Sequence, residues 1–218
     1  TDEFGSDILS RIIYGSRVSI SIGIVAQVIA SIVGVTLGSL AGYYGGWIDN
    51  TISRIMEIFQ AFPDLIFAMA IMTFLGKGVL NLFIALGLLT WVRTARMIRG
   101  SVMQLKEKEY IEASRACGAS TYWIIMKGLV PNCLSTIIVL VTLGIPNAIM
   151  YEASLSFLGI GIQPPTPSWG NMISAAQTFI SYRPVYSIMP GVAIMITVIA
   201  FNIFGDGLRD ALDPKLKN

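Results

Sequence analysis

The chain has 218 residues, of which 54% are hydrophobic and only 13% charged, and its mean hydropathy is +0.70; a soluble domain carries about 25% charged residues, so this is the composition of a membrane protein. Fifteen basic and 13 acidic side chains leave a formal charge of +2, too sparse and too balanced for a surface that holds nucleic acid by neutralising phosphates. With no His, and with Cys117 and Cys133 as the only cysteines, the chain lacks the ingredients of most zinc sites, of Ser-His-Asp or Cys-His nucleophiles and of a multi-bridge disulfide framework. Nothing in it demands a metal or a cofactor.

An ionised side chain at the bilayer centre costs roughly 2.5–3.5 kcal/mol on insertion scales, so charge-free runs mark the spans. After a lead-in of residues 1–17, Val18–Tyr43 is a first span with no charge. Within it Ala26, Ala30, Gly34, Gly38 and Gly42, continued by Gly46, fall every fourth residue, a stripe of small side chains that lets another helix approach closely. Ile55–Leu75 is a second span, apolar apart from Glu57 and Asp64, which lie seven residues apart and share a face. Two readings of these acids stay open. They line a polar pathway, or Asp64 caps backbone groups freed at Pro63 while Glu57 pairs with Arg54.

Leu80–Val92 is a third span, short unless it extends through Arg93, Arg96 and Arg99 with their side chains snorkelling. The segment 93–128 that follows is too patterned for a linker. Helix formers run from Lys106 to Cys117, Gly118 can take the left-handed conformation that ends a helix, and Ser120 can cap a new helix from Thr121. That predicts a helix-turn-helix, with Tyr122, Trp123, Ile125 and Met126 at or near the membrane surface and Pro131 in the first turn of a fourth span, Leu129–Tyr151. Glu152, just beyond, faces a vestibule or reaches the interface.

The uncharged stretch Ala153–Tyr182 is broken by Gly159, Gly161, Pro164, Pro165, Pro167 and Gly170, so residues 157–184 are expected to form a loop with short helices, Trp169 and Tyr182 sitting among headgroups. Val185–Gly205 is the fifth span. Placing 93–128 in the cytoplasm puts eleven of the fifteen basic residues inside, Arg54, Arg209, Lys215 and Lys217 among them, and leaves Arg11, Arg17, Lys77 and Arg183 outside. Cytoplasmic loops hold the excess of Lys and Arg, so the C-terminus is expected in the cytoplasm. Five spans then put Thr1 outside, and a longer parent with one more N-terminal span is expected. The fold class is an all-α, polytopic helical membrane protein with five spans here and six in the full subunit.

Within the helix-turn-helix, Glu112, Ala113, Gly118, Pro131 and Asn132 resemble the EAA loop of the membrane subunits of binding-protein-dependent ABC importers. Its pattern is Glu-Ala-Ala, a Gly five residues after the middle Ala, and a later Leu-Pro. Three further segments resemble the C-type permeases of the dipeptide, oligopeptide and nickel branch: TDEFGSDILSRIIYGSR at the start, LSFLGIGIQPPTPSWG from Leu155 to Gly170, and GDGLRDALDP near the end. The chain departs at Ser114 for the third EAA position, at Gly128 and Val130 before Pro131, and at Ser6, where an Arg is common. The small replacement at Ser114 is expected to leave docking intact; Gly128 is expected to loosen the return of the loop to the membrane.

The resemblance implies a permease of the prokaryotic inner membrane that forms half of a translocation pathway, for di- or oligopeptides first and for nickel or oligosaccharide as alternatives. It implies a second, homologous permease subunit, two cytoplasmic ATPase subunits and an extracytoplasmic substrate-binding protein. It also implies that the loop, including Tyr110, Glu112, Ala113, Ser114, Arg115, Gly118, Ala119, Ser120, Pro131 and Asn132, docks the ATPases. In keeping with ATP hydrolysis elsewhere, the chain has no G-x-x-x-x-G-K-[ST] phosphate loop. An ion-coupled secondary transporter relaying protons through Asp64 or Glu152 leaves the helical loop unexplained. An intramembrane aspartyl protease using Asp64 with Asp206 lacks the Gly-x-Gly-Asp pattern, since Phe204 and Gly205 precede Asp206.

Overall fold

Ten residues before the first charge-free run, Asp7 accepts the Ser10 amide at 2.7 Å and starts a helix, α1 (Ile8–Tyr44), that runs through most of the expected lead-in. The computed structural model describes Asp2 and residues 5–212; Thr1, Lys215, Lys217 and the end of the GDGLRDALDP segment lie outside the described residues. At 37 residues α1 is about 55 Å long, against ~30 Å of hydrocarbon, so one part of it stands clear of the bilayer. Gly45 and Gly46, at φ +65° and +52°, end it, so Gly46 leaves the stripe and opens α2 (Gly46–Gln60).

The second expected span is broken. α2 meets α3 (Asp64–Leu75) at 92° across Ala61, Phe62 and Pro63, because Pro63 lacks an amide donor and restricts the residue before it. α4 (Val79–Leu105) continues thirteen residues past Val92 and takes in Arg93, Arg96 and Arg99. A turn at 106–108 delays α5 (Glu109–Ala116), and α6 (Thr121–Trp123) passes through a π-helical turn, Ile124–Leu129, and a 3-10 turn, Pro131–Cys133, into α7 (Leu134–Phe157). A short α8 (Trp169–Ala176) precedes α9 (Pro184–Leu212). Among the described residues, four helical runs are long and apolar enough to cross a membrane, and five when the bent α2–α3 pair counts as one. Every regular element among the described residues is helical.

α1 is the axis of the bundle, parallel to α4 and antiparallel to α7. A β-carbon at Gly34 would lie 2.7 Å from Thr94 Cβ, one at Gly38 2.5 Å from the Ala95 carbonyl oxygen, and one at Gly42 2.7 Å from the Arg99 carbonyl oxygen. α4 reciprocates with Gly87, against Ile29, and α7 with Gly144, against Gln27. Lipid supplies little hydrophobic drive between helices, so this backbone approach and its dispersion contacts hold the bundle together. Ala26 and Ala30 are fully buried in the same seam.

Two ends of the bundle result. One carries α5, α6 and the π turn and is called the elbow end below. The other carries α8, under which Gly15 and Trp169 meet, and Trp169 is 3% exposed with its Nε1 donating to the Ile12 carbonyl at 3.0 Å. Trp169 is therefore an interior anchor and not the headgroup residue expected, whereas Tyr182 is 70% exposed.

Gly38→Ala should destabilise the purified protein in detergent by about 1–3 kcal/mol through overpacking. Gly191→Ala in α9, where a β-carbon meets nothing within 4 Å, should be neutral or stabilising by up to ~1 kcal/mol. Thermal unfolding of the two variants side by side checks the contrast.

Candidate functional site

At the elbow end, α5 and the π turn close on each other through apolar side chains. Ile111, Ile124, Ile125 and Leu129 are buried against Ile98 and Val102 of α4 and against Cys133. Tyr122, Trp123 and Met126 stay exposed, whereas Ile125, expected beside them, is 8% exposed and faces this cluster. Gly118 turns the chain at φ +79°, with its amide on the Arg115 carbonyl, and Ser120 accepts the Trp123 amide at 3.3 Å. Ser114 Oγ donates to the Tyr110 carbonyl at 2.7 Å, and the Arg115 guanidinium lies 5.4 Å from the Tyr43 ring, tying α5 to the end of α1.

Gly128 packs directly against the other arm of the elbow. A β-carbon there would come 2.9 Å from Ile111 Cδ1, so the tip of Ile111 occupies the space beside the glycine. The Gly128 carbonyl accepts from Asn132 Nδ2 at 2.6 Å and from the Tyr110 hydroxyl at 3.4 Å. Beyond this, Glu112 and Ala113 are exposed, and Ala113, Ser114, Cys117, Gly118, Ala119 and Trp123 line an open groove of about 500 Å³. Pro131 begins the 3-10 turn that leads into α7.

Further along the bundle, α1, the end of α2, α3, α4 and α7 surround a half-open cavity of about 390 Å³. Gln27, Gln60, Asp64, Arg93, Arg96, Asn147 and Tyr151 give it a polar lining. The Tyr151 hydroxyl donates to Asp64 Oδ2 at 2.5 Å, and Arg96 donates to Gln60. Asp64 makes no capping bond to α3, whose N-cap is Pro63, so the expected cap is replaced by a contact across the cavity. Glu57 does pair with Arg54, at 2.7 Å, with both side chains exposed.

Glu152 follows neither expectation. It does not line this cavity and is 0% exposed at the end opposite the elbow. Ser19 donates to its Oε2 at 3.1 Å and Ser156 to its Oε1 at 2.8 Å. Each hydroxyl in turn accepts a backbone amide, Trp169 on Ser19 at 3.2 Å and Ile162 on Ser156 at 3.0 Å. The carboxyl thus fastens the connection from α7 to α8 onto α1. A further charged contact, Asp49 with Arg99, is bidentate at 2.5 and 2.7 Å and joins α2 to α4.

The sequence matches the family described as binding-protein-dependent transport system inner membrane component over residues 34–218. The chain belongs to this family. It is a multi-pass permease of ABC importers, not an enzyme: ATP is hydrolysed by separate subunits, and membership implies ATPase and binding-protein partners. It is 47% identical to the dipeptide transport system permease protein DppC of Alkalihalophilus pseudofirmus, over 100% of this chain and 72% of that protein. It is 44% identical to the di/tripeptide transport system permease protein DppC of Pseudomonas aeruginosa and 43% identical to the glutathione transport system permease protein GsiD of Pectobacterium atrosepticum, again over 100% of this chain and 72% of each relative. In fold, it is similar to a chain of the MetNI methionine ABC transporter in an inward-facing conformation, with a TM-score of 0.71 at 22% identity, covering 98% of this permease and 100% of that chain.

Sequence reasoning passed over Gln27, Asn147 and Tyr151 of the cavity, although an amide inside a charge-free span is itself a signal, since its hydrogen bonds must be met by protein or water. It also passed over Ser19, Ser156 and Ser168, which look like small packing residues until the fold brings Glu152 to them.

Glu152→Ala leaves two buried hydroxyls without their acceptor and should lower stability by about 1–3 kcal/mol. Glu152→Gln keeps an acceptor and should recover at least half of that. Thermal unfolding of the purified permease in detergent measures both.

Proposed function

We propose that this permease forms one half of a pathway for di- and oligopeptides, paired with a second, homologous permease. The observation that carries the peptide reading is sequence identity of 43–47% over the whole chain to permeases named for dipeptide, di/tripeptide and glutathione transport. The polar cavity supports it. A half-open space walled by one chain on α1, the end of α2, α3, α4 and α7 suits a pathway completed by a partner subunit.

In this reading the elbow faces the cytoplasm and receives the ATPases, with Glu112, Ala113 and Gly118 at the docking tip. Closure of the ATPases displaces the elbow as a rigid piece, because Ile111, Ile124 and Leu129 lock its two arms together. The same cluster contains Ile98 and Val102, so the displacement reaches α4, which also walls the cavity. Motion at one end therefore alters the shape of the pathway. The opposite end, with α8 and the Glu152 network, faces the binding protein, and the C-terminus is cytoplasmic.

Gly118→Pro forces φ near −65° where +79° is needed, and Ala113→Glu adds a charge to the groove. Both should lower ATP-dependent uptake of a dipeptide by the reconstituted importer at least tenfold while the protein still inserts into membranes. Wild-type uptake by both rejects the docking role.

Cys117 is exposed at the elbow and Cys133 buried, so the natural thiols report orientation. A membrane-impermeant maleimide should label Cys117 in inverted vesicles and not in intact cells, and the ATPase subunits should protect it. Labelling of intact cells would invert the topology.

A further inference from the structure

Two cavities of the bundle run into one another. The half-open cavity that Asp64 lines shares Arg93, Met97, Leu140 and Leu143 with a second, of about 430 Å³, which continues along α7 and α9 to Arg209 at the elbow end. The track has a charge order: a carboxylate with Arg96 in the first cavity, Arg93 at the junction and Arg209 at the elbow end.

Asp64 and Arg93 line one cavity yet do not pair with each other. Asp64 accepts the Tyr151 hydroxyl, and Arg93 has no hydrogen bond or ion pair among the described residues. Of the neighbouring guanidiniums on the same helix, Arg99 is ion-paired with Asp49 and Arg96 donates to the neutral Gln60 amide. Arg93 and Asp64 are both exposed to this space, so the guanidinium keeps its planar donors, which match a carboxylate, open to a solute. A cation and a carboxylate that line one cavity without pairing are complementary to a solute carrying both charges. The volume lies within the roughly 300–1,000 Å³ of small-ligand pockets.

We infer that Arg93 receives the α-carboxylate of a peptide in transit while Asp64 receives its α-ammonium, so that the peptide lies with its carboxylate toward Arg209 and the elbow end. This rests on the peptide reading above and adds to it the residues that recognise the solute. It also separates a peptide from a bare divalent cation, which the three guanidiniums along the track would repel.

The test uses the whole importer, with partner permease, ATPases and binding protein, in proteoliposomes, and follows uptake of a labelled dipeptide. Arg93→Gln should lower uptake about tenfold, equivalent to ~1.4 kcal/mol. Arg93→Lys, which keeps the charge, should stay within about threefold of wild type, and Asp64→Asn should lose about as much as Arg93→Gln. Copurification of the ATPase subunits reads assembly. Undiminished uptake by Arg93→Gln overturns the assignment, and so does a Lys variant as poor as Gln; an Arg93 that merely holds a lipid headgroup gives the first of these results. Uptake and assembly falling together mark Arg93 as scaffold and overturn it too. Failure of the peptide reading is distinguishable, because the wild-type importer would then take up no dipeptide before any residue is changed.

Discussion

The closeness of α1 to α4 sets the geometry of everything else. Without side chains at Gly34, Gly38 and Gly42, the two backbones meet at distances that an alanine could not tolerate, and three consecutive contacts at that spacing fix both register and crossing. In water a helix pair can trade one apolar contact for another and let the solvent decide. In lipid the tails compete on equal terms for every exposed leucine, so only shape distinguishes the native seam from its neighbours. A seam made of backbone contacts is also stiff, since it has no long side chain whose rotamers could absorb a shift. α1 and α4 therefore behave as one body, and α7, held to the other side of α1 by Gly23 and Gly144, is referenced to the same frame.

That stiffness gives the elbow something to act on. Its apolar interior includes Ile98 and Val102, which sit about one and a half and two and a half turns beyond Arg93 along α4. Gly42 packs on Val102 from the α1 side, so the elbow cluster and the glycine seam share a residue. A displacement of α5 relative to α4 would have to break this shared contact, whereas a displacement of both together leaves every contact intact. The second is the lower-energy motion, and it moves the helix that walls the polar cavity.

Much of this was legible because it follows from composition and spacing. The stripe of small residues in the first span announced a close helix contact, Gly118 and Ser120 announced the turn and the second arm of the elbow, and the pairing of Glu57 with Arg54 was one of the two readings left open. What escaped depends on which residues meet in space. Glu152 was ambiguous because two serines more than a hundred positions apart in sequence terms from one another, Ser19 and Ser156, come together around it only in the folded bundle. The contact of Gly128 with Ile111, on a different arm, was hidden for the same reason. The bend at Pro63 was visible as a proline, but its 92° angle is set by where α2 and α3 find neighbours, Arg99 gripping Asp49 on one side and Tyr151 reaching Asp64 on the other.

Charge inside this permease is handled in three ways, and the differences separate scaffold from pathway. Glu152 is sealed from solvent and surrounded by hydroxyls that each carry a backbone amide, an arrangement that gains rigidity from full satisfaction and offers nothing to a passing solute. Asp49 and Arg99 form a bidentate pair at the hinge of α2 and α4, their charges spent on each other. Asp64 and Arg93 differ from both, because they share an accessible cavity without meeting. Both are exposed to it, so water solvates each charge and neither is committed to a partner on this chain. Charges left uncommitted in this way are free to meet the counter-charges that a zwitterionic cargo brings and takes away.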